Sequence, residues 1–182
     1  MTNLTGTYNL DPAHTTIGFT VRHAMVTKVR GEFTDFDATL TIAENPAEST
    51  ATGTVRTASV DTNNADRDEH VRGDDFFAVD KHPEMTFTAT EFNVDESGNG
   101  SVTGDLTIKD TTKPVTFDVE TFGVEEDPFG NTRIGFEART SINRTSINRT
   151  DFGIDFQAPL NSGGMLVSEK VGIEIDGSGI KQ

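Results

Sequence analysis

Residues Ser59 to Phe87 read SVDTNNADRDEHVRGDDFFAVDKHPEMTF, the only stretch of this 182-residue chain that does not read as strand and turn. Asn63 or Asn64 can accept from the free amides that open a helix, Asp66 and Asp68 suit its positive end, and Arg72 suits its negative end. Gly73 can take a left-handed stop. The helix is therefore brief, about Ala65 to Arg72. Asp74-Asp75-Phe76-Phe77 then sets two acids beside two apolar rings, and Lys81-His82-Pro83 turns the chain into a strand at Glu84. The segment reads as a lid or plug against a sheet.

Outward from it, period-two alternation dominates. Toward the C-terminus, Met85, Phe87 and Ala89 alternate with threonines until the Asp95 to Gly100 turn, and a hairpin follows. Val102, Gly104, Leu106 and Ile108 form the next apolar face; Lys109 to Pro114 reverses the chain into Val115, Phe117 and Val119. After the Asp127 to Asn131 turn come Ile134, Phe136, Ala138, Thr140 and Ile142 on one face, and the last strand carries Val171, Ile173 and Ile175. Toward the N-terminus, Ile17, Phe19 and Val21 share a face, and Thr50 to Val60 reads as a threonine-rich strand. Val29 to Ile42 reads as one strand carrying Phe36, Ala38, Leu40 and Ile42, with Phe33 out of phase and a bulge or bend near Thr34. The repeated Ser-Ile-Asn-Arg-Thr at 141–145 and 146–150 is a local duplication, too short to be a repeat architecture.

About eight main strands, one short helix and no βαβ crossover predict an all-β fold. The expectation is an antiparallel sheet curled into a barrel or sandwich, a single domain over residues 1–182. Thirteen phenylalanines against one tyrosine and no tryptophan suggest buried rings with nothing to hydrogen-bond. An eight-stranded barrel is about the smallest that holds one slender ligand, and periodicity alone leaves open whether it is hollow or filled by its own side chains.

Composition narrows the partners. Thirty acids against fifteen bases give a formal net charge of −15, which opposes phosphate backbones and anionic membrane surfaces, so no nucleic-acid partner is expected. Without cysteine there is no disulfide, thiolate metal site or thiol nucleophile. No run approaches the ~20 apolar residues of a membrane span, and the opening MTNLTGTYNLDPAH lacks an export signal. The chain as given thus reads as cytoplasmic, or as exported if a leader was removed. Asp66, Asp68, Glu69 and His70 would make a metal cluster only if they shared a helix face, which residues three or four apart do; a solvated helix is the preferred reading, with no metal site expected.

The sequence also resembles the YceI-like family of polyisoprenoid-binding proteins over nearly its whole length. The likeness is carried by Tyr8-Asn9-Leu10-Asp11-Pro12-Ala13-His14-Thr15, Ile17-Gly18-Phe19, Val29-Arg30-Gly31-Glu32-Phe33, and Arg67-Asp68-Glu69-His70-Val71 with Asp75-Phe76-Phe77. His82-Pro83, Gly104-Asp105-Leu106-Thr107-Ile108, Thr112-Lys113-Pro114-Val115 and Ile147-Asn148-Arg149-Thr150-Asp151-Phe152-Gly153 complete it, and the last run matches Arg149 rather than Arg144 to the family arginine. The resemblance implies a lipocalin-like antiparallel β-barrel whose interior takes a long isoprenoid chain, as in prenyl quinones or polyprenyl phosphates. It also implies storage or transport without catalysis, no cofactor beyond such a lipid, no stable membrane insertion, and a homodimer.

Candidate wall residues are Phe19, Val21, Phe36, Leu40, Phe87, Phe117, Val119, Phe136 and Ala138, with Phe76 and Phe77 near the mouth. Arg67 or Arg149 suits a pyrophosphate or quinone carbonyl, although an arginine–carboxylate structural pair is the plainer reading of each. His14 and His70 are the candidate polar contacts, His14 more simply as the support of a turn beside Pro12. No Gly-x-Ser-x-Gly elbow is present, and a small barrel enzyme using His14, His70 or Arg149 is the competing class.

Overall fold

The computed structural model describes residues 3–140 and 147–182. Its strands are β1 (Gly6–Leu10), β2 (Thr16–His23), β3 (Thr27–Phe33), β4 (Phe36–Ile42), β5 (Thr50–Arg56), β6 (Val60–Asp61), β7 (Glu84–Val94), β8 (Gly100–Ile108), β9 (Thr111–Glu126), β10 (Thr132–Thr140), β11 (Ile147–Asn148) and β12 (Val167–Lys181), with one α-helix, α1 (Ala65–Arg72). The first pentapeptide copy, with Ile142 and Arg144, lies outside the described residues.

Every strand pairing is antiparallel, and β1-β4-β5-β7-β8-β9-β10-β12 closes on itself because β1 also pairs with β12. Closure removes the edges of these eight strands that would otherwise expose unpaired backbone. Beyond that ring, β12 pairs with β2, β2 with β3, and β3 with β6. These extra strands continue the first three staves of the barrel. β1 runs into β2 through a 3-10 turn at Pro12–His14, β3 into β4 through Thr34 and Asp35, and β5 into β6 through a 3-10 turn at Thr57–Ser59. Two of these breaks are laced together: Arg56 N donates to Asp35 O at 2.9 Å, and Thr34 N donates to Ser59 O at 3.3 Å.

The single strand expected over Val29 to Ile42 is therefore two, and the bulge or bend expected near Thr34 is a full break at Thr34 and Asp35. Phe33 and Phe36 are three residues apart, so an unbroken strand would send them to opposite faces; the break lets both be buried.

The helix begins and ends where the sequence places it. Asn64 is its N-cap, accepting from Arg67 N at 2.9 Å. Gly73, however, is extended at φ −73° rather than left-handed, and its N–H still reaches His70 O at 3.0 Å. Nor is the helix solvated all round. Asp68 is buried and accepts from Thr62 N at 2.8 Å and Thr62 Oγ1 at 2.5 Å. Arg72 donates to Ala58 O and Val60 O, both at 2.8 Å, which moors the helix to the third stave. Val71, Phe76 and Phe77 then pack on the core, with Phe77 edge-on to Phe33 at 5.6 Å.

At the opposite end, Arg133 of β10 clamps the first break. Its guanidinium lies 2.7 Å from Asp11 and 2.6 Å from Asp127 of the β9–β10 turn. The Arg133 donor, with help from His14, brings the Asp11 carboxyl down to about 2, and Asp127 is held below the usual carboxylate range by Asn131 and Arg133. A folded pKa below the unfolded value of about 3.9 stabilises the fold at neutral pH, an effect that fades as pH falls from about 4 through about 2. Urea unfolding of Asp11→Asn should accordingly show lower stability at pH 7 and a shallower loss between pH 4 and 2. A slope equal to that of the parent would remove Asp11 from the acid response.

Candidate functional site

The barrel is hollow. A cavity of about 610 Å³ runs from Leu4, Leu10, Ile42 and Phe92 at one end to Val71, Phe76, Phe77 and Phe152 beneath the helix, a volume typical of small-molecule sites. Alternation explains why its wall is apolar: the inward positions of β8, β10 and β12 are Val102, Leu106 and Ile108, then Ile134, Phe136 and Ala138, then Val171, Ile173 and Ile175.

Glycine explains why the rings leave it open. Phe136 is the cross-strand partner of Gly177, and Phe19 that of Gly31; a β-carbon on either glycine would collide with the facing ring. Phe87 lies over Gly104 in the same way. Each ring thus reclines against bare backbone of the neighbouring strand instead of projecting inward. Phe87 also meets Phe117 edge to face at 5.5 Å, and Phe19 meets Phe33 at 5.6 Å, so neighbouring rings brace these two.

Of the candidates read from the sequence, Phe19, Val21, Leu40, Phe76, Phe77, Phe87, Phe117, Val119, Phe136, Ala138 and Arg149 line this cavity. Phe36 is buried but is not on the lining; it sits at the start of β4, directly after the strand break. His14 is exposed, with Nδ1 2.8 Å from Asp11 Oδ2, and so supports the turn beside Pro12. Arg67 lies off the cavity, donating to Thr62 Oγ1 at 2.8 Å and Thr62 O at 2.7 Å. His70 is also outside: its Nε2 is 2.8 Å from Asp75, and its ring stands edge-on to Phe76 and Phe156 at 5.1 and 4.9 Å. It backs the plug rather than facing the lumen.

Arg149 is the one basic residue on the wall among the described residues. Only 5% exposed, it donates to Ser168 O at 2.9 Å, Ile154 O at 2.6 Å and Val167 O at 3.2 Å. The carboxylate pairing expected for Arg67 and Arg149 is thus replaced by carbonyl pairing in both, among the described residues. Burial lowers the Arg149 pKa, while the charges of Glu169 and Asp155 act the other way. Reading alternation alone passed over Phe33, Val55, Met85, Ile173 and Ile175, which also line the cavity. Ile173 and Ile175 carried the same period-two signal as the residues chosen, whereas Phe33 was hidden by the break after it.

A closed antiparallel barrel with an apolar lumen and a buried aromatic wall places the chain in the class of small hollow β-barrels. Residues 8–178 match the family described as the YceI-like domain, and the chain belongs to that family. A UPF0312 protein of Staphylococcus epidermidis is 39% identical over 92% of this chain and 93% of its own. The crystal structure of the Campylobacter jejuni YceI protein is 32% identical, covering 82% of this chain and 87% of that one, with a TM-score of 0.64. A polyisoprenoid-binding domain from Saccharophagus degradans, implicated in plant cell wall breakdown, shares the fold at 13% identity and a TM-score of 0.69, covering 96% and 98% of the two chains.

Gly177→Ala should force the Phe136 ring off the wall and destabilise the barrel by about 1–3 kcal/mol in denaturant unfolding. Adding Phe136→Leu should restore much of that loss, as coupled neighbours do. Additive effects in the double variant would mean that the ring does not depend on the glycine.

Proposed function

We propose that this protein binds a long-chain polyisoprenoid lipid inside the barrel, of the prenyl quinone or polyprenyl phosphate type, and stores or carries it without chemical change. The observation that carries the reading is the continuous apolar lumen of about 610 Å³. At about 0.8 kcal/mol per buried CH₂, each five-carbon unit would contribute on the order of 3–4 kcal/mol gross in a dry tunnel. Ordering a flexible chain removes part of that. The fold shared with a polyisoprenoid-binding domain supports the same ligand class.

In this reading the tail occupies the stretch between Phe87, Phe117 and Phe136, and the polar head lies toward Arg149. A guanidinium can donate to a phosphate or quinone oxygen, and desolvation would strengthen that bond. The competing enzyme reading draws no support from the histidines: His14 and His70 both lie off the cavity lining, each bonded to an aspartate. The homodimer belongs to the proposal as well and is tested by sedimentation at twice the 19.7 kDa chain mass.

Mass spectrometry of organic extracts from the purified protein should recover an intact prenyl lipid. Phe117→Asp should lose it by placing a charge in the lumen, and Ala138→Phe should lose it by filling the lumen without one. Undiminished lipid in either folded variant, or turnover abolished by His70→Ala, would refute the carrier.

A further inference from the structure

The tip of the β2–β3 hairpin is built against local preference. Val26 N donates to His23 O at 3.2 Å, closing a tight turn whose two central residues, Ala24 and Met25, both have positive φ, at 50° and 62°. Such turns are ordinarily filled by Asn and Gly, because a β-carbon is disfavoured there. What the turn presents is apolar: Met25 is 57% exposed and Val26 75%. Ala24 N donates to Leu166 O at 2.7 Å, which joins the tip to the neighbouring 159–166 loop, where Met165 is 53% exposed.

Around this tip the charge is reversed relative to the whole chain. Residues 22–31 contain Arg22, Lys28 and Arg30 and no acid, within a protein of net charge −15. Arg22 and Lys28 are directly opposed across the hairpin, a like-charge pairing that costs stability unless something else holds the charges there. None of the three has an ion-pair partner among the described residues, and Lys170 on β12 is exposed nearby beside a single acid, Glu169. At the other end of the barrel the turns carry Glu44 and Glu48, Asp95 and Glu96, and Glu126 and Asp127, and the helical segment on the tip's own side carries the exposed Asp66, Glu69, Asp74, Asp75 and Asp80, so the basic patch is local to the hairpin.

The hairpin also reaches outward. β3 leaves its partner β6 at Glu32 and Phe33, and Thr27 lies six residues farther on, roughly 20 Å of strand. The lumen extends close to its tip, since Val21 of β2 and Val167 of β12, the cross-strand partner of His23, both line the cavity.

We propose that the β2–β3 tip and the adjoining 159–166 loop dock this barrel onto anionic membrane surfaces, with Met25, Val26 and Met165 entering the interface and Arg22, Lys28 and Arg30 contacting lipid phosphates. Apolar side chains ringed by cations are the pattern of interfacial membrane contact. The net negative charge does not prevent it, because salt screens charges beyond about 8 Å and the hairpin itself carries no acid over residues 22–31. Docking here would place the lumen wall at the bilayer from which a lipid guest is drawn. The docking itself stands on charge and exposure, independently of the carrier reading.

Flotation of the full chain with vesicles of equimolar phosphatidylglycerol and phosphatidylcholine, free of prenyl lipid, tests it. The protein should float with these vesicles, not with pure phosphatidylcholine, and binding should weaken as salt rises. Each basic residue at an anionic surface is worth about fivefold, so Lys28→Gln with Arg30→Gln should weaken binding about twentyfold or more. Met25→Ser with Val26→Ser should lose flotation, while Phe129→Ser, at an exposed apolar residue of the acidic end, should not. The proposal is overturned if wild-type protein ignores anionic vesicles or if Phe129→Ser matters as much as the tip. It is equally overturned if Met25→Ser with Val26→Ser splits a dimer without changing flotation, or if the charge-neutral variant merely self-associates through the free edge of β3, which would make Lys28 and Arg30 guards of that edge.

Discussion

The reclining of phenylalanine rings on glycines of the next strand is the contact on which this architecture depends. A small closed barrel lined by large rings would ordinarily fill itself, and protein interiors tolerate few voids. Here Phe19, Phe87 and Phe136 each take the space that a β-carbon would have occupied on Gly31, Gly104 and Gly177. The rings remain buried, the strands remain paired, and the volume gained stays in the middle. A tilted contact with Phe33 holds Phe19 there, and an edge-to-face contact with Phe117 holds Phe87.

The ends of the barrel are held by different means. Beneath the helix, arginines are spent on backbone carbonyls: Arg72 on Ala58 and Val60, Arg67 on Thr62, Arg149 on Ser168, Ile154 and Val167. At the other end, Arg133 is spent on the carboxylates of Asp11 and Asp127. The first arrangement satisfies orphan acceptors where strands break and a helix must be moored. The second locks a strand break to a turn from the far side of β12, and it alone is sensitive to acid.

Much of this was legible in the sequence, because inward and outward positions alternate along nearly every strand. Eight staves, a helix at Ala65–Arg72, the turns at Asp95 and Asp127, and most of the lumen-facing residues follow from that alternation and from the capping residue. The interruption near Thr34 was legible in place but not in kind, since a bulge, a bend and a full break all put Phe33 out of phase with Phe36. The partners of Arg67 and Arg149 were hidden for another reason: carbonyl acceptors belong to the backbone and leave no mark in residue type. Whether the barrel was hollow could not be read either, because Gly31, Gly104 and Gly177 matter only through the rings that pairing brings over them.

The lumen is nearly all hydrocarbon, with Arg149 among the few polar groups on its wall. Dispersion and burial carry no directional preference along such a bore. Along the apolar stretch the wall itself sets no register, so for a chain threaded there girth is what the bore selects, and position is left to whatever polar contact the chain makes at its end.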